Sequence, residues 1–321
     1  MQNRVFQVGK KPYCVWGHNL VQDNLIFLSQ IDSDFFLYQA DVNAANLKSD
    51  GRKQQHAALA LRANYLHATE VFFAIAMATI QAPACPVGWV FRYRSEQLRQ
   101  LVEDVARGRS VSSPWWSSIG KSWRDFASTV LSRFKCEPPT DKDQVTGNFG
   151  EFWQRIADEF LSADCSAEYN SFKHGLRARA SPVQVGIGRQ DDPETPCPPE
   201  KMTYFSSDSG SSWVGVEAIE DDRINLRVFH RSVAWHPGSI HERLQLVSVS
   251  INNVVAWLES TLGAKSPREW KYPPNLMVFD ECWHNTGLCS IGFQQDITLN
   301  DIRPVSREEM ITLLKQQDKT A

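Results

Sequence analysis

Six apolar residues, Ile240, Leu244, Val247, Ile251, Val254 and Leu258, recur at steps of four, three, four, three and four. That period draws one stripe along an α-helix, and such a helix must bury its stripe against other elements. Its place in the chain is what constrains the fold. The helix starts after Pro237, directly downstream of "VQVGIG", "MTYFSS", "SWVGVEAI" and "INLRVFHRSVAW". Those runs are short, β-branched or aromatic, and separated by Gly, Pro, Asp and Ser, as in an antiparallel meander. The helix must therefore return to a core built before the meander, and it stops at Gly263 with Pro267 beyond.

Residues ahead of Pro182 are expected to supply that core. A long helix is predicted from His56 to Gln81, stopped by Pro83 and Pro86. A second starts at Ser95 as N-cap, with Glu96 in its first turn and Gly108 after its end. A third covers Ile119 to Phe134. A fourth begins near Asn148, carries Phe149, Phe152, Trp153, Ile156 and Phe160 at helical spacing, and runs on toward His174. The runs "NLIFLSQI" and "DFFLYQADV" fit strand or helix equally. The expected fold is mainly α, a bundle of about five helices with a small antiparallel β-meander inserted before the last long helix. The segments are an N-terminal stretch 1–50, the bundle 51–180, the β-insert 181–236, the returning helix 237–262 and a C-terminal extension 263–321 with a short helix near Ser306 to Gln317.

Composition narrows the function classes. With 42% hydrophobic and 22% charged residues the chain is ordinary globular material. A net charge of −3 exerts no global pull on polyanions, so any such site is a local patch. The most apolar window, Ala57 to Ile80, holds Arg62, Asn64, His67 and Glu70, too many polar groups for lipid. It reads as a buried helix, and no membrane partner is expected. Seven Cys are scattered without a CxxC pair, and the opening "MQNRVFQVGKKPY" lacks a signal-peptide core, so a cytoplasmic location is expected.

The stretch "EYNSFKHGLRARASP", residues 168 to 182, is the candidate site. If the fourth helix is continuous, its stripe passes from Phe160 through Ala163 and Ala167 to Asn170 and His174. The first helix has a stripe of Leu59, Ala63, Leu66, Glu70, Phe73, Met77 and Ile80, which sets a carboxylate in an apolar row. A buried carboxylate needs a partner. Two such helices predict one shared polar cluster of Glu70, Asn170 and His174. The alternative is structural: Asn170 closes the last turn, His174 precedes a Gly175 cap, and Glu70 is anchored by Arg62 or another inward Arg.

The order of a helix with an inward Glu, a helix ending in "YNSFKHGLR" (169–177), a β-meander and a long helix resembles the HEPN superfamily. In its usual motif an Arg, often followed by a polar residue such as Asn, precedes a His. Asn170 and His174 fall on that Asn and His, and Tyr169 stands in the Arg position. The resemblance implies a metal-independent endoribonuclease with no cofactor, of the kind found in toxin and antiviral-defence or stress systems, assembled as a homodimer. His174 is then the acid/base. Lys173 or Arg177 steadies phosphate, Asn170 orients the scissile group, Glu70 holds a tautomer or a cation, and Tyr169 and Arg179 contact the substrate RNA. The competing expectation is a non-catalytic module that binds nucleotide, RNA or protein in the same groove.

Weaker patterns remain. Residues 91–135 carry nine Lys or Arg against four acids, interleaved with Trp115, Trp116 and Trp123, which fits an RNA-facing surface or a solvated helix face. His67 with Glu70, and Cys282, His284 and Cys289 in "CWHNTGLC", lack the further ligands that a metal site requires, so no metal is expected.

Overall fold

The computed structural model describes residues 4–11, 13–16, 21–111, 121–135, 141–174, 177–189, 197–219, 222–273, 279, 281–283, 290–297 and 305–317. It starts with a hairpin of β1 (Arg4–Gln7) and β2 (Tyr13–Trp16). The ambiguous runs that follow are helices, α1 (Val21–Ser29) and α2 (Asp34–Asn46). α3 runs over Gly51–Gln81, somewhat longer than predicted, and α4 (Pro86–Val90) turns the chain into α5 (Ser95–Ala106). Gly108 closes α5 with φ of 71°, a left-handed conformation that glycine adopts without penalty. α6 (Trp123–Val130) is shorter than the predicted third helix and tightens into a 3-10 turn at Leu131–Arg133. Ile119 lies outside the described residues.

One prediction about the fourth helix is corrected. It is not continuous to His174: α7 (Lys142–Leu161) ends, and α8 (Ala163–Lys173) begins a new axis. Ser162 causes the break. Its backbone is extended, and its hydroxyl accepts from the Cys165 N–H at 3.1 Å, an N-cap where a continuous helix would need helical φ and ψ.

The aromatic core sits between α3, α6 and α7. Trp153 lies 5.3 Å from both Phe72 and Phe126, and Phe73 lies 5.3 Å from Trp123. Gly150 lets α6 and α7 touch, because a Cβ there would come within 2.8 Å of the Arg124 Cα.

After α8 come β3 (Ala178–Ala180), the hairpin β4 (Val183–Ile187) and β5 (Thr203–Ser207), and the long pair β6 (Gly210–Ile219) and β7 (Asp222–Ala234). α9 (Pro237–Thr261) then returns to the bundle as its stripe requires. Every stripe residue from Ile240 to Leu258 is fully buried. So are Ser248, Ser250, Asn252 and Asn253, on its other sides, which makes α9 the axis of the molecule instead of a surface helix.

The C-terminal extension is less separate than its sequence suggests. Asn253 holds Lys271 through two hydrogen bonds of 2.7 and 2.8 Å, and Arg268 donates to the Leu28 and Ile31 carbonyls, each at 2.9 Å. β8 (Ser290–Ile297) joins the sheet, whose antiparallel order is β3-β6-β7-β8, so the sheet is only partly an insert. α10 (Arg307–Gln317) ends the described chain. Among the described residues no helix is long and apolar enough to cross a membrane.

Candidate functional site

α3 buries a charge where the sequence stripe did not place one. Arg62 is 3% exposed. Its Nε and Nη2 reach Glu168 Oε2 of α8 at 3.1 and 2.7 Å, and its Nη1 reaches Glu159 Oε1 of α7 at 2.7 Å. Glu159 also accepts from the Tyr65 hydroxyl at 2.6 Å and from Arg243 of α9 at 3.4 Å. Ser211 of β6 donates to Glu168 and accepts from the Trp235 indole at 3.4 Å. The network thus pins four helices and the sheet to one point. Burial alone would raise the Glu159 carboxyl, but Arg62 and Arg243 outweigh it and hold the group below its ordinary range. Burial opposes the Arg62 cation, yet the two carboxylates hold its proton more tightly than usual.

This network opens on a cavity of about 230 Å³ between α3, α5, α7 and α8. Leu66, Leu98, Ile156, Phe160 and Cys165 give it apolar lining, and Tyr65 and Glu159 of the network line it too. The opposite rim is polar. Glu70 Oε2 accepts from the Tyr169 hydroxyl at 2.8 Å, and Lys173 Nζ lies 2.7 and 2.6 Å from the two Glu70 oxygens. The Lys173 ammonium also lies 4.2 Å from the Tyr169 ring centre. Burial first, then the Glu70 charge, pushes the Tyr169 hydroxyl well above its usual range, so it stays a donor. Burial likewise keeps the Cys165 thiol protonated, which removes it as a nucleophile near neutral pH. Arg99 lines the same cavity but is occupied, donating to the Phe160 and Leu161 carbonyls at 2.7 and 2.8 Å and so closing the C-terminus of α7.

The residues picked from the sequence separate into two groups. Glu70, Tyr169 and Lys173 meet at the cavity rim, where Asn170 also contributes to the lining although it is exposed. His174 does not join Glu70 inside the bundle. It caps α8 as an exposed residue, its N–H donating to the Asn170 carbonyl at 3.0 Å. The break at Ser162 is the reason, because the new axis of α8 turns Cys165, Glu168 and Phe172 inward and leaves Asn170 and His174 outside. Arg177 is exposed and curls back, its Nε 3.2 Å from the His174 carbonyl oxygen. Arg179 sits on β3, exposed, with its Nε 3.2 Å from Ser212 Oγ.

Arg62, Glu159 and Glu168 were not among the sequence candidates. The sequence marks Arg62 as a polar group within the apolar window and as a possible anchor for Glu70, whereas the anchor of Glu70 is Lys173. The available signal was an arginine inside the most apolar window, which demands a buried carboxylate partner. Trp123 is a core residue at 1% exposure, not an RNA-facing one. Trp115, Trp116, Gly175, His284 and Cys289 lie outside the described residues. His67 is exposed on α3, its ring 5.7 Å from that of Phe36. Comparison with known proteins finds no matching family model, no matching curated protein and no matching solved structure.

Proposed function

We propose that this chain is a HEPN-like helical binding module whose cavity takes a nucleobase-sized ligand. One observation carries the reading: the cation and the phenol of the motif, Lys173 and Tyr169, are spent on Glu70 at a cavity rim, and His174 is exposed and not among the residues lining the cavity. A cavity of about 230 Å³ falls below the ~300–1,000 Å³ of drug-sized sites, which suits a single ring system. The Glu70 carboxylate has about four acceptor positions and uses three on Tyr169 and Lys173, leaving room for one ligand N–H. Titration calorimetry with nucleosides and nucleotides tests this. Glu70→Gln should weaken the best ligand by about tenfold, the value of one charge-assisted hydrogen bond. Absence of binding by every nucleoside tried, or an unaltered affinity in Glu70→Gln, rejects it.

A second reading rests on the exposed end of α8, where Asn170, His174 and Arg177 are all exposed and the Arg177 Nε donates to the His174 backbone carbonyl. The reading is metal-independent RNA cleavage by a cytoplasmic homodimer that presents two such ends to one strand. His174→Ala should then lose on the order of 100- to 10,000-fold in cleavage rate, chelator should change nothing, and Tyr169→Arg should raise activity. Inertness of both the parent and Tyr169→Arg on RNA removes this reading and leaves the first.

A further inference from the structure

Beyond the cavity, one surface corner combines an aromatic held in water with positive charge that has no acidic partner among the described residues. Phe91, in the turn between α4 and α5, is 75% exposed, more than any other large apolar side chain among the described residues. The turn is rigid. The Phe91 N–H donates to Val87 at 3.1 Å, the Arg92 and Tyr93 N–H groups both donate to Trp89 at 3.0 Å, and Tyr93 stacks on buried Trp89 at 4.9 Å. Phe91 projects from this hydrogen-bonded turn with its ring in water.

The β1–β2 turn lies against this corner. Gln97 joins the two, since its Nε2 donates to the Lys11 carbonyl at 3.1 Å and its Oε1 accepts from the Arg94 N–H at 2.9 Å. Lys10, Lys11, Arg92 and Arg94 are all exposed. Arg107 and Arg109 further along pair with Glu103 and Asp104, but these four cations have no acidic partner among the described residues. Glu96 is the single carboxylate between residues 86 and 99. Glu96 and Ser95 also line the cavity, so the corner borders the proposed ligand site.

We infer that this corner binds single-stranded RNA, with Phe91 stacking a base and Lys10, Lys11, Arg92 and Arg94 following the phosphates. Positive charge complements a polyanion, and a single exposed ring suffices to stack a base. The same ring alone among four cations offers little apolar area for insertion into lipid, which argues against a membrane surface. The inference shares the nucleic-acid direction of the proposed function but does not need the cavity to be occupied.

Fluorescence anisotropy with a labelled oligouridylate of roughly 12 nucleotides, titrated across salt, tests it. Binding should show a slope of log affinity against log salt near −3, about −0.7 per engaged cation. Phe91→Ala should weaken binding roughly tenfold with the slope unchanged, and Phe91→Trp should preserve it. Lys10→Ala with Arg92→Ala should reduce the slope magnitude by about 1.4. These side chains are exposed, so thermal midpoints should not move, which separates a binding defect from a folding defect. Phe91→Ala, and Lys10→Ala with Arg92→Ala, lie outside the cavity lining and should leave nucleoside binding by calorimetry unaltered, so failure of the cavity reading is seen separately from failure here. No binding by the parent chain, binding indifferent to both sets of substitutions, or Phe91-dependent capture by phosphatidylserine vesicles without RNA binding each overturns the inference.

Discussion

At the scale of single residues, Arg62 is the side chain on which most depends. It is buried between two carboxylates, and removing one partner of such a group strands the others without compensation. Arg62→Ala should cost about 3–5 kcal/mol in urea unfolding, and Glu168→Gln a comparable amount. Glu70→Gln, at a rim where Lys173 keeps 37% of its side-chain exposure, should cost less than about 1 kcal/mol. Equal losses at Arg62 and Glu70 would mean that the rim pair contributes as much as the buried network. The Glu159 carboxyl also sets an acid limit. Its folded pKa lies below the ordinary 4.5, so its stabilisation is present above that pH and is lost as pH falls through 4.5 toward the folded value. Urea midpoints should drop below about pH 4.5 in the parent and drop less steeply in Glu159→Gln. Glu70 was legible in the sequence because it interrupts an apolar stripe. Arg62 was harder to read, since an arginine one step from a stripe is as often a surface residue whose stem lies along the core.

The helices and strands show where periodicity informs and where it misleads. The stripe of α9 is an unbroken run in one helix, so its burial followed directly from the spacing. The step from α7 to α8 did not, because a stripe extended across Ser162 assumes helical φ and ψ that this residue lacks. A serine followed by Asp164 in the next first turn is an N-cap signal, and it outweighs the spacing of the apolar residues around it. Ser162→Ala should lower stability by about 0.5–2 kcal/mol and loosen the amides of the first turn of α8 in hydrogen exchange. Protection equal to the parent there would assign the break to packing instead of the cap. Ile251→Ala, in the middle of α9, should cost about 2–5 kcal/mol, and a loss under about 0.5 kcal/mol would place that side chain outside the core. The sheet was half visible. β6 and β7 announce themselves by β-branched runs, whereas β8 lies far along the chain from its neighbour, and pairing across that distance leaves no local mark.

For the whole molecule, the order of the segments matters as much as their contacts. α9 packs on α2 and α3, and the extension beyond it holds both α9 and the segment near α1. Ser248 donates to the Ser33 carbonyl at 2.6 Å across 215 positions, and Arg268 reaches Leu28 across 240. Deleting residues 237–321 should leave a chain without a cooperative thermal transition, as read by circular dichroism. Retention of a sharp transition would show that the N-terminal helices fold as an independent unit. A molecule whose axis is supplied late also has a history on the ribosome. The apolar sides of α2 and α3 emerge many seconds before the helix that covers them, at synthesis rates of about 5–20 residues per second. During that interval the nascent chain is a sticky intermediate, open to chaperones and to neighbouring copies, and its yield in a cell should depend on how fast the last third is translated.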